Sequence, residues 1–184
     1  MKKLLLFLFL IPSLYASEKV YVGLSYSYMQ ENFTNLKAKS ATNLTKFKIA
    51  YGDIKAYAIE FSIQSMQNKA KIFSSASSNS SDGDMLGFNI ELLKSFDFNI
   101  YVYPFVKVGF GTGSMGISRE LQESLSYGTF NVASGLFIPV YKHVDLEIGY
   151  EYKNISYEAI DTIATKNSYS SNANALYFGF NVRF

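Results

Sequence analysis

Apolar and polar side chains alternate along much of the chain. From Val20 to Tyr28, apolar residues occupy every second position, and Gly23, Ser25 and Ser27 are among the residues between them. A period of two residues is typical of a β-strand with one apolar face. The same alternation recurs and predicts eight strands, which cover approximately residues 20–28, 46–51, 57–63, 86–92, 100–111, 129–138, 144–152 and 176–184.

The links between these strands alternate in length. Long polar links cover approximately residues 31–43, 67–84, 112–126 and 156–173, whereas short links centre on Gly52-Asp53, Phe96-Asp97 and Pro139–His143. Strands of about 9 to 11 residues with this rhythm are the pattern of an outer-membrane barrel with short periplasmic turns and longer external loops. We therefore predict an all-β fold, a membrane-spanning eight-stranded antiparallel up-and-down β-barrel. Pro104 has no backbone N–H to donate to a neighbouring strand, so we expect it near a strand end or bulge.

Within the predicted strands, the charged residues occupy the positions between the apolar ones, which is the opposite face of each strand. We call each set of alternate positions a parity. A soluble barrel such as a lipocalin would place its apolar parity inside around a ligand, and these charges would be a poor lining for such a cavity. In a membrane barrel they face inward, and the interior of eight strands is just wide enough for side chains to fill. We expect a polar interior network of Lys48, Glu60, Glu91, Lys107, Asp145, Glu147, Glu151 and Arg183. It is either a plug of ion pairs or a narrow conduit.

The N-terminus has the organisation of an export signal. Lys2 and Lys3 precede an apolar run from Leu4 to Ile11, and small or turn residues follow as far as Ala16. This run is too short to span a bilayer as a helix, which needs roughly 20 residues. We predict a signal peptide at residues 1–16, cleaved near Ala16, and one barrel domain at residues 17–184.

Charge and cysteine content exclude several classes of function. Without the two lysines of the signal peptide, the remaining 15 basic residues equal the 15 acidic ones. No strand or loop carries the basic stripe that nucleic-acid binding requires, so we expect no nucleic-acid partner. The chain has no cysteine, which excludes disulfides and thiolate chemistry.

Aromatic residues are abundant, with fifteen tyrosines and sixteen phenylalanines but no tryptophan. No stretch after the signal approaches 18 consecutive apolar residues, so membrane-spanning helices are not predicted. Aromatic residues near strand ends suit the girdles that anchor a barrel at the two lipid interfaces. The candidates are Tyr26, Tyr28, Tyr51, Tyr57, Tyr150, Tyr152 and Phe184.

The candidates for catalysis or metal binding are few. The single histidine, His143, lies in a predicted periplasmic turn, away from the external side on which barrel hydrolases and acyltransferases act. A base without a positioned nucleophile supplies no catalysis, so we expect no catalytic residues. Asp82 and Asp84 lack the further carboxylates of a calcium loop, and we expect no metal or cofactor. The serine-rich stretch from Ser74 to Asp84 is expected to be mobile.

The C-terminus carries the most specific motif. Residues 175–184, ALYFGFNVRF, resemble the terminal strand of small outer-membrane barrels, and residues 104–113, PFVKVGFGTG, resemble another of their strands. The chain thus resembles the superfamily of the OmpA transmembrane domain, the OmpX-like and the OmpW-like proteins. This resemblance implies a bacterial outer-membrane location, contact with lipid and lipopolysaccharide, and recognition by the barrel assembly machinery through Tyr177, Phe178, Phe180, Val182 and Phe184.

Three functional hypotheses follow from this resemblance. The first is a non-enzymatic, monomeric barrel that supports membrane integrity or presents its loops to an external ligand. The second is a narrow pore or an OmpW-like transporter of small molecules. The third, least favoured because His143 is misplaced, is a lipid-modifying enzyme.

Overall fold

A computed structural model describes residues 20–34, 38–67, 72–74, 82–118, 123–161 and 166–184. They form eight antiparallel strands, each paired with its neighbours in chain order, and β8 pairs with β1 to close the barrel. The strands are β1 (Val20–Phe33), β2 (Lys39–Gly52), β3 (Tyr57–Met66), β4 (Met85–Ser95), β5 (Tyr103–Gly116), β6 (Ser124–Tyr141), β7 (Val144–Asp161) and β8 (Lys166–Arg183). The predicted all-β up-and-down barrel is confirmed.

Two predicted features lie wholly or mainly outside the described residues. These are the signal peptide at residues 1–16 and residues 75–81 of the serine-rich stretch. Within the described ranges, no helix is long and apolar enough to cross a membrane.

The two ends of the barrel differ, and we call them the turn end and the loop end. At the turn end, Gly52 has a φ of 137° and ends β2, a backbone conformation that favours glycine. Asn99, with a φ of 57°, donates its backbone N–H to the Asp97 carboxylate at 2.8 Å in the β4–β5 turn. Pro104 is the second residue of β5, as expected for a residue near a strand end.

At the loop end, the strands are longer than predicted. Strands β6, β7 and β8 each have 18 residues, so much of the predicted long links is β-ladder. The connections there are residues 34–38, 67–84, 117–123 and 162–165. The predicted link at residues 67–84 is confirmed, whereas the links predicted at 31–43, 112–126 and 156–173 are shorter in the structure. Those three were wrong because the prediction followed the outward apolar residues, which stop where the strands leave the membrane, whereas the ladder continues.

Outward-facing side chains form an apolar belt around the barrel. Tyr57, Phe110 and Leu176 are among them and expose 66%, 68% and 67% of their surface. A belt of this extent is far larger than the apolar patches of soluble proteins, and it matches the lipid-facing band of a membrane barrel. The apolar parity therefore faces outward, which is opposite to the lipocalin arrangement.

Inward-facing side chains fill the barrel in three layers. The turn-end layer is apolar and contains Tyr21, Ile54, Leu93, Phe105 and Phe137. The ionic layer lies next to it and holds buried lysines and glutamates. The loop-end layer is again apolar and includes Met29, Phe33, Leu44, Met66, Phe73, Met85, Met115, Leu125, Ile155 and Tyr157.

Candidate functional site in the barrel interior and at its loop end

Small residues stand opposite the long charged side chains of the ionic layer. Gly23 is the cross-strand partner of Lys48, and Gly179 is the partner of Glu147. A Cβ atom added at Gly23 would lie 2.6 Å from Lys48 Cε. The missing side chain therefore leaves the space in which Lys48 extends across the interior.

Four of these charged residues form a ring of alternating sign, which we call the ionic ring. Lys107 Nζ lies 2.6 Å from Glu60 Oε2 and 2.8 Å from Glu147 Oε1. Lys48 also pairs with Glu147, and its Nζ lies 3.6 Å from Glu60 Oε1. The ring connects β2, β3, β5 and β7 across the interior, and three of its four ion pairs link strands that are not neighbours in the sheet.

A second group lies beside the ring, and we call it the ionic chain. Lys46 Nζ is 3.0 Å from Glu151 Oε1 and 3.4 Å from Glu91 Oε2. Lys153 Nζ is 3.2 Å from the same Glu151 oxygen and 2.9 Å from Gln64 Oε1. Each carboxylate in this chain therefore has a lysine partner.

The ionic layer is balanced in charge and almost fully packed. The ionic ring and the ionic chain contain two lysines and two glutamates each, so their formal charges cancel. The cavity among these side chains has a volume of about 10 Å³. This is about the space of one water molecule.

The structure brings six of the eight predicted network residues together in the ionic layer. These are Lys48, Glu60, Glu91, Lys107, Glu147 and Glu151. Asp145 and Arg183 instead pair at the turn-end rim, where Arg183 Nε lies 2.6 Å from Asp145 Oδ2. They are separate because Asp145 is the second residue of β7 and Arg183 the last of β8.

The set predicted from the sequence omits Lys46 and Lys153. Lys46 shares the parity of Lys48, and Lys153 shares that of Glu147 and Glu151. Lys46 already lies on the inward face of the predicted strand at residues 46–51, and extending the alternation of the seventh strand by one residue finds Lys153. Lys153 was missed because the predicted strand ended at Tyr152.

An aromatic cap covers the loop-end layer. Phe73 lies in the β3–β4 connection, and its ring centroid is 5.6 Å from that of Phe33, 4.8 Å from that of Tyr157 and 5.5 Å from that of Tyr169. The Asp82 carboxylate accepts the backbone N–H groups of residues 72, 73 and 74 at 2.7, 2.9 and 2.7 Å. Asp82 therefore positions the segment that carries Phe73, and its oxygens serve a structural role.

Glu31 is buried in the loop-end layer, beyond the last outward apolar residue of β1. Its Oε1 accepts hydrogen bonds from Tyr157 Oη at 2.6 Å and from Ser171 Oγ. Among the described residues, no lysine or arginine forms an ion pair with it. Burial raises the pKa of Glu31 above its usual value, and the two hydrogen bonds oppose that rise.

The remaining predicted site residues lie apart from these layers. His143 is half-buried in the β6–β7 turn, and its backbone carbonyl accepts the N–H of Arg183 at 2.8 Å. In the described part of the chain, no three His, Cys, Asp or Glu side chains are grouped so as to hold a metal. In the C-terminal strand, Phe178 and Phe180 face outward and Tyr177 is buried inside, while Val182 and Phe184 lie at the turn end.

Solved structures share this fold. The chain matches Neisserial surface protein A (NspA) with a TM-score of 0.68 and 14% identity, over 90% of this chain and 97% of that one. It matches Ail, the attachment invasion locus protein of Yersinia pestis, with a TM-score of 0.53 and 16% identity, over 90% and 99% of the two chains. The N-terminal β-barrel domain of Pseudomonas aeruginosa OprF matches with a TM-score of 0.50 and 10% identity, over 86% and 96%. Identities this low show the fold alone.

Sequence comparison identifies the family. No curated protein matches the sequence. The model of the outer membrane protein beta-barrel domain matches residues 4–184, which is nearly the whole chain. The predicted resemblance to small outer-membrane barrels is confirmed, and the chain belongs to the outer membrane protein beta-barrel domain family.

Proposed function

We propose that this protein is a sealed, non-catalytic outer-membrane barrel that presents its loop end to external partners. The observation that carries the proposal is the filled interior, in which a charge-balanced ionic layer lies between two apolar layers. Ion passage would require separating buried ion pairs and wetting both apolar layers, which is costly in free energy. The sealed interior therefore favours a surface role over the pore and transporter alternatives.

The loop end provides the surface for such a role. Strands β6, β7 and β8 continue past the apolar belt with polar outward residues such as Ser126, Ser156 and Asn172. Paired strands hold a recognition surface more rigidly than free loops of the same length. Ail is an attachment invasion locus protein by name, and it shares this fold. An external ligand at the loop end of this chain is part of our proposal.

The proposal also fixes an orientation. The turn end faces the periplasm and the loop end faces outward, as in other barrels of this architecture. Residues 1–16 direct export and are then removed, and the C-terminal strand, with its outward Phe178 and Phe180, is the segment that the assembly machinery binds. A short epitope inserted between residues 162 and 165 should bind antibody on intact cells, whereas one inserted at Asp53 should require permeabilised cells.

Single-channel recording tests the sealed interior. The mature chain is refolded, its heat-modifiable gel shift confirms barrel formation, and it is inserted into a planar bilayer. We expect no conductance steps. Reproducible steps that disappear in Lys107→Gln or Glu147→Gln would overturn the proposal and make the protein a pore.

A shortened hairpin tests the surface role. Replacing residues 158–168 with an Asn-Gly turn removes the outermost part of the β7–β8 hairpin and leaves the cross-strand partners Tyr157 and Tyr169 on either side of a favourable two-residue connection. Bacteria that display this variant should be retained less on an extracellular-matrix coating than bacteria with the full hairpin. Equal retention of both strains, and of a strain without the protein, would contradict a role in attachment.

A further inference from the structure

An open apolar groove lies on the outer wall near the turn end. It has a volume of about 700 Å³, within the usual range of small-molecule sites. The short side chains of Val106, Val108 and Val132 line it, and the longer Tyr57 and Leu92 flank them. It lies across several neighbouring strands, because Leu92 pairs with Val108 and Val108 pairs with Val132.

Two aromatic rings limit the groove on its loop-end side. Phe110 and Phe130 form the cross-strand pair that follows Val108 and Val132, and their ring centroids are 5.3 Å apart. Both side chains face outward in the apolar belt. The valines that line the groove therefore lie nearer the turn end than this aromatic pair.

The Lys94 ammonium group lies at the rim of this groove, whereas Lys107, which also lines it, directs its ammonium group into the ionic ring. Lys94 Nζ is 3.8 Å from the centroid of the Tyr57 ring and 5.5 Å from that of the Phe96 ring. The aromatic rings hold the ammonium group in place but do not neutralise its charge. Among the described residues, no carboxylate forms an ion pair with Lys94.

Nearby turn acids are engaged elsewhere. The Asp53 carboxylate accepts the backbone N–H of Lys55 at 2.8 Å, and that of Asp97 accepts the N–H of Asn99 at 2.8 Å. These contacts are local to their turns. The rim of the groove therefore presents a cation beside an apolar depression.

We propose that this groove binds an anionic phospholipid, with an acyl chain along the three valines and the phosphate at Lys94. An apolar lining takes up a hydrocarbon chain, and a lysine at a membrane interface attracts an anionic headgroup. A free phosphate would use only the lysine, whereas a neutral lipid would use only the valines. This inference rests on the proposed orientation, which places the groove in the periplasmic leaflet.

Fluorescence quenching tests the site. The chain has no tryptophan, so Tyr57→Trp introduces one reporter beside Lys94 and keeps an aromatic partner for the ammonium group. The variant is refolded into phosphatidylcholine vesicles that contain phosphatidylglycerol, and bromine is placed on the acyl chains of one lipid or the other. At equal mole fraction, we expect the reporter to show about a fivefold preference for brominated phosphatidylglycerol.

A matched reporter measures the preference of the bulk lipid shell. Leu24→Trp places the tryptophan on the outward face of β1, across the closed barrel from β5. At this reporter, brominated phosphatidylglycerol and brominated phosphatidylcholine should quench about equally, which is a preference near one. Equal preferences at positions 57 and 24 would overturn the site, because phosphatidylglycerol would then surround the whole barrel evenly.

Two further variants separate the charge from the groove. In the Tyr57→Trp background, Lys94→Gln removes the cation and Val108→Phe fills the depression, while Lys142→Gln removes a lysine from a different turn. We expect the first two to lower the preference to about one and the third to leave it unchanged. An unchanged preference in Lys94→Gln or Val108→Phe would overturn the proposal, as would a protein dimer that excludes lipid from the reporter.

These outcomes are independent of the proposed function. The vesicle experiment requires neither a sealed interior nor a given orientation, since both leaflets contain the same lipids. If the reporter shows no preference for phosphatidylglycerol and the bilayer recording shows no conductance steps, the lipid site alone is overturned. Conductance together with a preserved lipid preference would overturn the sealed barrel alone.

Discussion

The inward face of β1 changes character along its length. Within the apolar belt it carries Gly23, Ser25 and Ser27, whereas beyond the belt it carries Met29 and Phe33. The outward face changes in the opposite sense, from Leu24, Tyr26 and Tyr28 to Gln30 and Asn32. Along this part of β1 the barrel is thus small and polar inside and apolar outside beside the ionic layer, and largely the reverse in its loop-end extension.

The two interior regions consequently depend on different interactions. The ionic layer requires each carboxylate to meet a cation at hydrogen-bond distance, because an unpaired buried charge is costly. The loop-end layer requires apolar side chains of suitable total volume, and this requirement tolerates exchange of one apolar residue for another. Substitutions in the ionic layer should therefore be more damaging than volume-conserving ones in the loop-end layer.

Lys107→Met should have the largest effect. It removes the cation that contacts both Glu60 and Glu147, which leaves two buried carboxylates with Lys48 alone. We expect the free energy of unfolding to fall by about 3–5 kcal/mol, measured by urea titration of the refolded barrel in detergent micelles. Lys142→Met, at an exposed turn, is the control and should change stability by less than about 0.5 kcal/mol. Equal stabilities of the two variants would contradict the role of the ionic ring.

Gly23→Val should have the next largest effect. An added Cβ would lie 2.2 Å from Asn181 Oδ1 and 2.6 Å from Lys48 Cε, so Lys48 must leave its position in the ring. We expect a loss of about 1–3 kcal/mol in the same urea titration. The control is Gly128→Val, where the nearest atom to an added Cβ is 3.9 Å away. If both glycine variants unfold at the same urea concentration, the space above Gly23 is not needed for the ring.

Met66→Leu in the loop-end layer should have a smaller effect. Met66 is fully buried among apolar side chains, and the substitution nearly conserves volume. We expect a loss below about 1.5 kcal/mol by urea titration. Met66→Ala, which opens a cavity, should cost about 2–5 kcal/mol and shows that the position is sensitive to packing. A loss for Met66→Leu as large as that for Lys107→Met would remove the distinction between the two layers.

Glu31→Gln should have the smallest effect, and it should depend on pH. Because the pKa of Glu31 is raised in the folded barrel, the unfolded chain ionises first as pH rises above about 4.5. Wild-type stability then falls with rising pH until the folded carboxyl group also ionises. The glutamine variant should lack this decline, so thermal melting at pH 4 and pH 8 should differ less than in the wild type. If the melting temperatures of the variant at pH 4 and pH 8 differ by as much as those of the wild type, the raised pKa of Glu31 is contradicted.

Parity alone was enough to predict most of the barrel. Alternation along the chain located all eight strands and separated lipid-facing from interior positions, because a pleated strand directs successive side chains to opposite faces. It failed at the loop end, where the outward apolar signal stops at Tyr28 although β1 continues to Phe33. A search for the outward apolar residues alone cannot find a ladder that extends into water.

The sequence by itself determined the number of strands, their order, the side of the wall that residues of the lipid-facing part occupy and the equality of basic and acidic residues in the predicted mature chain. Only the tertiary structure decided which charges meet. Lys48 and Glu147 are 99 positions apart, and their contact depends on barrel closure and on the register of every intervening strand. A one-residue slip would reverse the faces of a whole strand, so pairing is a property of the assembled ladder. The same holds for the groove at Lys94, whose valines come from strands that only the folded wall brings together.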